Sequence, residues 1–332
     1  MTVRKKKIVQ ILISATLIVT LLYWMDLDQL KTSIADADYV FLIYAFALIL
    51  FNRILMPVKW NLLLRSIDIG ISWYEVIKIY FISSFLGVFL PPTVGGDIVR
   101  AYYVHKKRHE LSGIISSIVI ERLIGLIALL VFGVAGCLIL VNQLTNVTFD
   151  LTNILLMSVG IIVVVTGGFI ISLHKRFGQV LISRLDNLKD IKVLGKVSKF
   201  IIKFYDSYTM FKTRKKILLI FFVLTCVEVS LPIIRGYLIA VALHVNVPLL
   251  YFFAFVPIIL MLIRLPISFD GFGINEGGFV YFLSLVGIST SAAFSVGIIN
   301  HFIFLIALLP GGVLYAFNKS KKGSQLFSEA AR

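Results

Sequence analysis

Ten ionisable side chains in this sequence stand where water is scarce. Arg53, Glu121, Arg122, Glu228, Arg235 and Arg264 fall within apolar runs. Asp97, Arg100, Asp270 and Glu276 fall at two places where such runs are broken by proline and glycine. Five of the ten are basic and five acidic. A charge in hydrocarbon is costly and persists where it is paired or faces a watered cavity, so the balance points to mutual pairing around an internal polar site. For Arg235 and Arg264, near span or hairpin ends, snorkelling to water is the alternative.

The two breaks are built alike. One reads LPPTVGGDIVR at 90–100 and the other LPISFDGFGINEGG at 265–278. Non-helical backbone at membrane depth survives where protein or a water-filled cavity satisfies its polar groups. In the first break Pro91 and Pro92 stop an inbound helix, and Gly95 and Gly96 let backbone N–H groups approach a ligand. A helix starting near Asp97 offers its positive end to an anion, and Arg100, one turn on, adds a fork suited to phosphate. The second break repeats the ingredients with Pro266, Ser268, Gly271 and Gly273, then Glu276 where a helix restarts.

These breaks need a bundle to hold them. The 332 residues are 59% hydrophobic and 15% charged, with a mean hydropathy of +0.98, which reads as an integral membrane protein of all-α, polytopic class. No segment remains for a sizeable soluble domain, so 1–332 is read as one transmembrane domain. The net charge of +15 sits mostly in short segments between spans, where it fixes orientation and implies no nucleic-acid partner. Cys137 and Cys226 both lie in apolar runs, with no disulfide framework or metal spacing. The basic start followed by an apolar run has the two leading parts of a signal peptide. Its A-x-A triplet at 35–37 lies too far downstream, so an uncleaved first helix is expected.

Six full spans are expected at 8–25, 39–58, 111–141, 151–173, 217–243 and 291–317, with two shorter broken pieces at 74–98 and 249–287. With Arg4 to Lys7 in the cytoplasm, the positive-inside rule keeps HKKRH at 105–109 inside only if 74–98 dips in and returns on its own side. The basic loop 174–216, with twelve Lys and Arg against three Asp, then also lands inside. A cytoplasmic tail requires the second piece to be a re-entrant hairpin entering from the opposite side. Both termini are thus cytoplasmic in a multi-pass protein of the cell (inner) membrane. Each half, 1–141 and 151–317, is ordered span, span, hairpin, span, as an inverted repeat. At a shift of 175 positions Pro57 falls on Pro232, Leu90-Pro91 on Leu265-Pro266, Thr93 on Ser268 and Gly96 on Gly271. In the basic loop, Lys189, Lys192, Lys196, Lys199 and Lys203 form one face of a helix. Val193, Leu194, Val197, Phe200, Ile201 and Phe204 form the other, as in a helix lying on an anionic inner leaflet. A solvated connector is the alternative.

Three stretches together resemble the transmembrane region of the lysylphosphatidylglycerol synthase/flippase family, including its stand-alone members, over nearly the whole chain. They are LPPTVGGDIVRAYYV, IVIERLIGLIALL and LPISFDGFGINEGGFVYFLSLVGIS. The motif residues are Pro92, Gly95, Gly96, Asp97 and Arg100, then Glu121, Arg122 and Gly125, then Gly271, Gly273 and Glu276. The resemblance implies movement of a lipid or lipid-linked headgroup between leaflets, with membrane lipids (an anionic phospholipid or polyprenyl-linked lipid) as partners. The chain stops at NKSKKGSQLFSEAAR, so the cytosolic synthase of the two-domain members is expected to be absent. Arg53, Arg100 and Arg122 are expected to hold an anionic phosphate. Asp97, Glu121, Glu228 and Glu276 are expected to pair those arginines or receive a cationic headgroup or proton. No catalytic constellation, cofactor or metal site is read: HKKRHE lacks the H-E-x-x-H glutamate, His301 beside Asn300 reads as an interhelical hydrogen-bonding residue, and no Walker A sequence occurs. The readings left open are a membrane transferase on a lipid-linked sugar or aminoacyl group, with Asp97 or Glu276 as base or metal ligand, and a subunit that orders another enzyme. A homo-oligomer is also left open.

Overall fold

The computed structural model describes residue 32 and residues 35–90, 94–108, 110–141, 151–172, 194–265 and 267–317. The first expected span, the prolines at 91, 92 and 266, Thr93, Lys189, Lys192 and the C-terminal tail lie outside the described residues. Those described form ten α-helices and no strand. The helices are α1 (Tyr39–Ser66), α2 (Trp73–Val88), α3 (Gly95–Arg108), α4 (Leu111–Val141) and α5 (Leu151–Ser172), followed by α6 (Leu194–Met210), α7 (Lys215–Ala242), α8 (Leu249–Ile263), α9 (Ile274–Ser284) and α10 (Thr290–Ile306). After a turn at Ala307 and Leu308, α10 resumes to Phe317.

Among the described residues four helices are long and apolar enough to cross a membrane: Tyr39–Ser66, Leu111–Gly136, Lys215–Ala242 and Thr290–Phe317. Their ends follow local rules. Asp38 accepts the Val40 N–H at the start of α1, and Ser289 accepts that of Ala292 at the start of α10, each satisfying an amide the helix itself leaves free. The side-chain stripes of α1 and α7 are apolar all round, so burial alone does not orient them, and polar contacts do.

α1 and α7 are antiparallel neighbours. The Asp38 N–H donates to the Ala242 carbonyl at 2.8 Å, while Lys59 reaches Thr225 and Glu228 at the other end. Each has 28 residues with one internal proline, Pro57 or Pro232. The two helices matched by the repeat therefore run in opposite directions, as inverted halves require. Glycine close approaches echo the same shift. A Cβ on Gly136 of α4 would overlap the backbone of Ala254 in α8, and one on Gly311 would overlap the Phe81 carbonyl in α2. In each half, the last long helix presses a glycine against the first limb of the other half's hairpin.

α2 packs on α3 as a helical hairpin. Glycine lines this seam too: a Cβ on Gly87 would stand 3.0 Å from the Gly96 nitrogen, and one on Gly96 would stand 3.2 Å from the Ser83 carbonyl. Lys107 bonds Glu75 across the open end, so the start of α2 and the basic end of α3 share one side. That hydrogen bond to Lys107 also holds the Glu75 carboxyl below its ordinary range. α8 and α9 are likewise in contact.

α6 lies in the basic loop, over Leu194–Met210. Lys203 is exposed on it, while Tyr205 and Tyr208 are buried against the α4 and α5 ends. The Tyr205 hydroxyl donates to the Ser172 carbonyl at 2.9 Å, and Ser116 of α4 donates to the Phe204 carbonyl at 3.0 Å. The apolar face is thus spent on the protein from Phe204 onward.

The glycine seams predict a contrast. Gly136→Ala and Gly311→Ala should each destabilise the bundle by about 1–3 kcal/mol, the usual cost of overpacking. Gly168→Ala on α5, with nothing within 4 Å of its new methyl, should be neutral or mildly stabilising. Thermal unfolding in detergent checks all three, and equal behaviour would contradict the seam.

Candidate functional site

Asp97 is the third residue of α3, placed by Gly95 and Gly96 against the α2 limb. Its carboxylate meets two guanidiniums. Oδ1 lies 2.9 Å from Arg100 Nη2, and Arg122 of α4 donates from Nε to Oδ2 at 2.9 Å and from Nη2 to Oδ1 at 3.0 Å. Arg100 is buried and has a second carboxylate, Glu121 Oε2, 2.5 Å from Nη1. Its guanidinium lies over Trp60 and Tyr80, 4.7 and 5.3 Å from the ring centroids, and the Tyr80 hydroxyl donates to Glu121 Oε1 at 3.4 Å. Cation–π contact of this kind strengthens as water is removed. Two carboxylates and two arginines from α3 and α4 thus close into a neutral lattice.

The second hairpin tip is organised differently. Asp270, Gly271 and Gly273 all take positive φ, at 50°, 82° and 82°, which bends the chain sharply before α9. Glu276 then turns back to cap its own helix: Oε2 accepts the Gly273 N–H at 2.7 Å, while Oε1 lies 2.6 Å from His301 Nδ1. His301 stacks on Phe272 with ring centroids 4.0 Å apart. Beside it, Arg235 donates to Asn300 Oδ1 at 2.9 Å, Asn300 donates to Asn275, and Asn275 donates to the Gly297 carbonyl at 2.8 Å. His301 and Asn300 do join helices by hydrogen bonds.

Between the two tips lies a cavity of about 250 Å³. Arg53, Gly95, Gly96, Asp97, Arg100 and Arg122 line it, with Tyr80 and Ser84 from α2. Glu121 stands one layer behind, paired to Arg100. Arg264 and Asp270 also line the cavity. Ser268, Gly271, Gly273 and Glu276 are not on its wall; Ser268 and Glu276 are buried in the second tip. Glu228 sits between α7 and α1, where it pairs with Lys59, whose Nζ also donates to Thr225 at 3.0 Å and lies over the Phe221 ring.

Lys59 corrects one sequence expectation. The second span was expected to end at residue 58, returning to the cytoplasm near Lys59. Instead α1 continues to Ser66, and Lys59 is 1% exposed because Glu228 and Thr225 supply its partners. Trp60 and Tyr80, the shelf beneath Arg100, also escape a charge-based reading. Arg65, whose guanidinium lies over Trp73, is the cation at the helix end.

A family model, lysylphosphatidylglycerol synthase TM region, matches residues 7–312. UPF0104 membrane protein PH1989 of Pyrococcus horikoshii is 23% identical over 95% of this chain and 98% of its own length. UPF0104 membrane protein MJ1595 of Methanocaldococcus jannaschii is 23% identical over 63% of this chain and 58% of its own. No solved structure matches the chain.

The buried Lys59–Glu228 pair yields a stability test. Lys59→Met or Glu228→Leu alone strands a charge and should cost about 3–5 kcal/mol, whereas the double change should recover most of the loss. Denaturant unfolding of the three variants measures this, and additive losses in the double variant would contradict the pairing.

Proposed function

The chain belongs to the lysylphosphatidylglycerol synthase TM-region family, and from that premise we propose that this multi-pass membrane protein is a lipid translocase whose central cavity passes a polar headgroup between leaflets. The observation that carries the reading is the cavity wall itself. Charges from both halves of the chain converge there, and Arg53 sits at the middle of α1, a helix of 28 apolar-rich residues. A charged cavity at the midpoint of a spanning helix gives a headgroup a polar path while acyl tails stay in lipid.

In this reading both hairpins are re-entrant. At 1.5 Å per residue, α2 and α3 are each about 20–25 Å long, short of a full crossing. The Glu75–Lys107 contact, joining the start of α2 to the end of α3, supports a return of the chain to the side it left. The two tips then meet from opposite faces, and the headgroup is exposed to each side in turn. Both termini are cytoplasmic. The lysine stripe expected over 189–203 serves the anionic inner leaflet, a reading supported at its one described side chain, Lys203, which is exposed while Tyr205 and Tyr208 dock on the protein.

Vesicles holding the full chain and a headgroup-labelled phospholipid test this directly. An impermeant reductant should bleach the inner-leaflet label as well as the outer when protein is present, and Asp97→Asn should slow the inner fraction about tenfold, the order expected for loss of a charge-assisted contact. Inner label left intact for every phospholipid and polyprenyl lipid offered would overturn the proposal. A covalently altered lipid would favour a transferase.

A further inference from the structure

Charge neutralisation within the site singles out the groups left for a ligand. Arg100 and Arg122 are matched by Asp97 and Glu121, and Lys59 is matched by Glu228. Arg235 is held by Asn300, and Glu276 by His301 and the Gly273 N–H, and neither lines the cavity. Three charges on the cavity wall remain: Arg53, Arg264 and Asp270.

None of the three has an ion-pair partner among the described residues. Arg53 is 8% exposed, its ring contact is with Phe304, and its Nη2 has no hydrogen-bond partner. Asp270 Oδ2 is buried and also lacks a partner. Its backbone is held at φ 50°, a strained setting for a residue other than glycine, and such settings gather where a side chain must be aimed. Arg264 caps the end of α8, and its guanidinium approaches α4 at Gly125, where an added Cβ would stand 3.9 Å from Nη2. An unpartnered buried guanidinium is costly, and a native structure that keeps one normally reserves it for a ligand.

We infer that Arg53 and Arg264, one from each half of the chain, form a clamp for a singly charged phosphate diester, with Asp270 setting the charge limit. Two arginines against one carboxylate leave one positive charge, which a diester monoanion cancels. A diphosphate carries more negative charge and leaves the site with an excess of it, at a desolvation cost that the three charges do not offset. Guanidiniums suit this task because they donate two parallel hydrogen bonds to phosphate oxygens. Arg100 and Arg122 are positioning residues: held by Asp97 and Glu121, they shape the wall and do not supply the excess charge. The clamp rests on the cavity being the headgroup site. It departs from the sequence expectation, which gave the phosphate to Arg53, Arg100 and Arg122.

The test is binding to the full chain in neutral detergent, read as ligand-induced thermal stabilisation. The probes are dioctanoyl phosphatidylglycerol, a diester with tails; glycerophosphoglycerol, the same diester without tails; and farnesyl diphosphate. Wild-type protein should bind the diester lipid in preference to the diphosphate. Arg264→Gln and Arg53→Gln should each weaken binding by about tenfold or more, the scale of a lost charge-assisted hydrogen bond. Arg264→Lys should retain part of it. Arg53 is buried and its variant is at risk of misfolding, so Arg264→Gln, at the half-buried position, decides. If Arg264→Gln unfolds at the wild-type temperature without ligand and binds the diester as wild type does, the clamp is overturned. Preference for farnesyl diphosphate overturns the single-charge limit. Binding of glycerophosphoglycerol without the lipid keeps the clamp and assigns it to a soluble diester. Unchanged binding in Arg264→Gln beside continued translocation overturns the clamp alone. A clamp that holds in a protein that moves no lipid overturns translocation alone.

Discussion

A carboxylate enclosed in an apolar bundle must be neutralised by its neighbours, and Asp97 meets that demand with two arginines at once. Arg100 comes from its own helix and Arg122 from α4, so one side chain fixes the tip of the first hairpin to the long helix beside it. The remaining order follows. Arg100 needs Glu121 as well, Glu121 is steadied by Tyr80, and Tyr80 with Trp60 makes the aromatic floor beneath Arg100. Without this lattice, helices as uniformly apolar as α4 and α7 would have little to choose one rotation over another.

The second constraint is steric. Helices in lipid gain no hydrophobic reward for meeting, so close packing through small residues must supply the attraction. Gly136 on Ala254 and Gly311 on Phe81 supply it symmetrically, and each joins one half of the chain to the other half's hairpin. The cavity between the tips is therefore a product of both halves. Neither hairpin carries the site alone.

Much of the frame was legible from apolar run lengths: α4 covers 111–141 as expected, and α7 and α8 begin within two residues of their predicted starts. The two helix breaks were legible because proline, glycine and charge coincide at both, and Arg53, Asp97, Arg100 and Arg122 were legible as charges in apolar context. Pairing was not. Lys59 and Glu228 are 169 positions apart, and only the antiparallel packing of α1 on α7 brings them together. Glu276 illustrates the opposite case. Its spacing from Gly273 matches a local helix cap, a short-range signal that outcompetes a place on the cavity wall. Arg264 and Asp270 were marked as ionisable, but the place of Asp270 on the cavity wall depends on the turn at 270–273, which positive φ values set and apolar patterning does not report.

The proposed translocation requires a site reachable from both faces of the membrane, and the cavity lined by residues of both halves is the candidate for it. Occupancy of that site is the central claim. A phospholipid carrying a photoactivatable diazirine on its headgroup, incorporated in vesicles with the full chain and irradiated, would report where headgroups reside. Adducts are expected on cavity-lining positions such as Ser84, Val88 and Ile263. Adducts confined to lipid-exposed positions such as Tyr44, Ile54 and Phe302, with none on the cavity wall, would contradict the account.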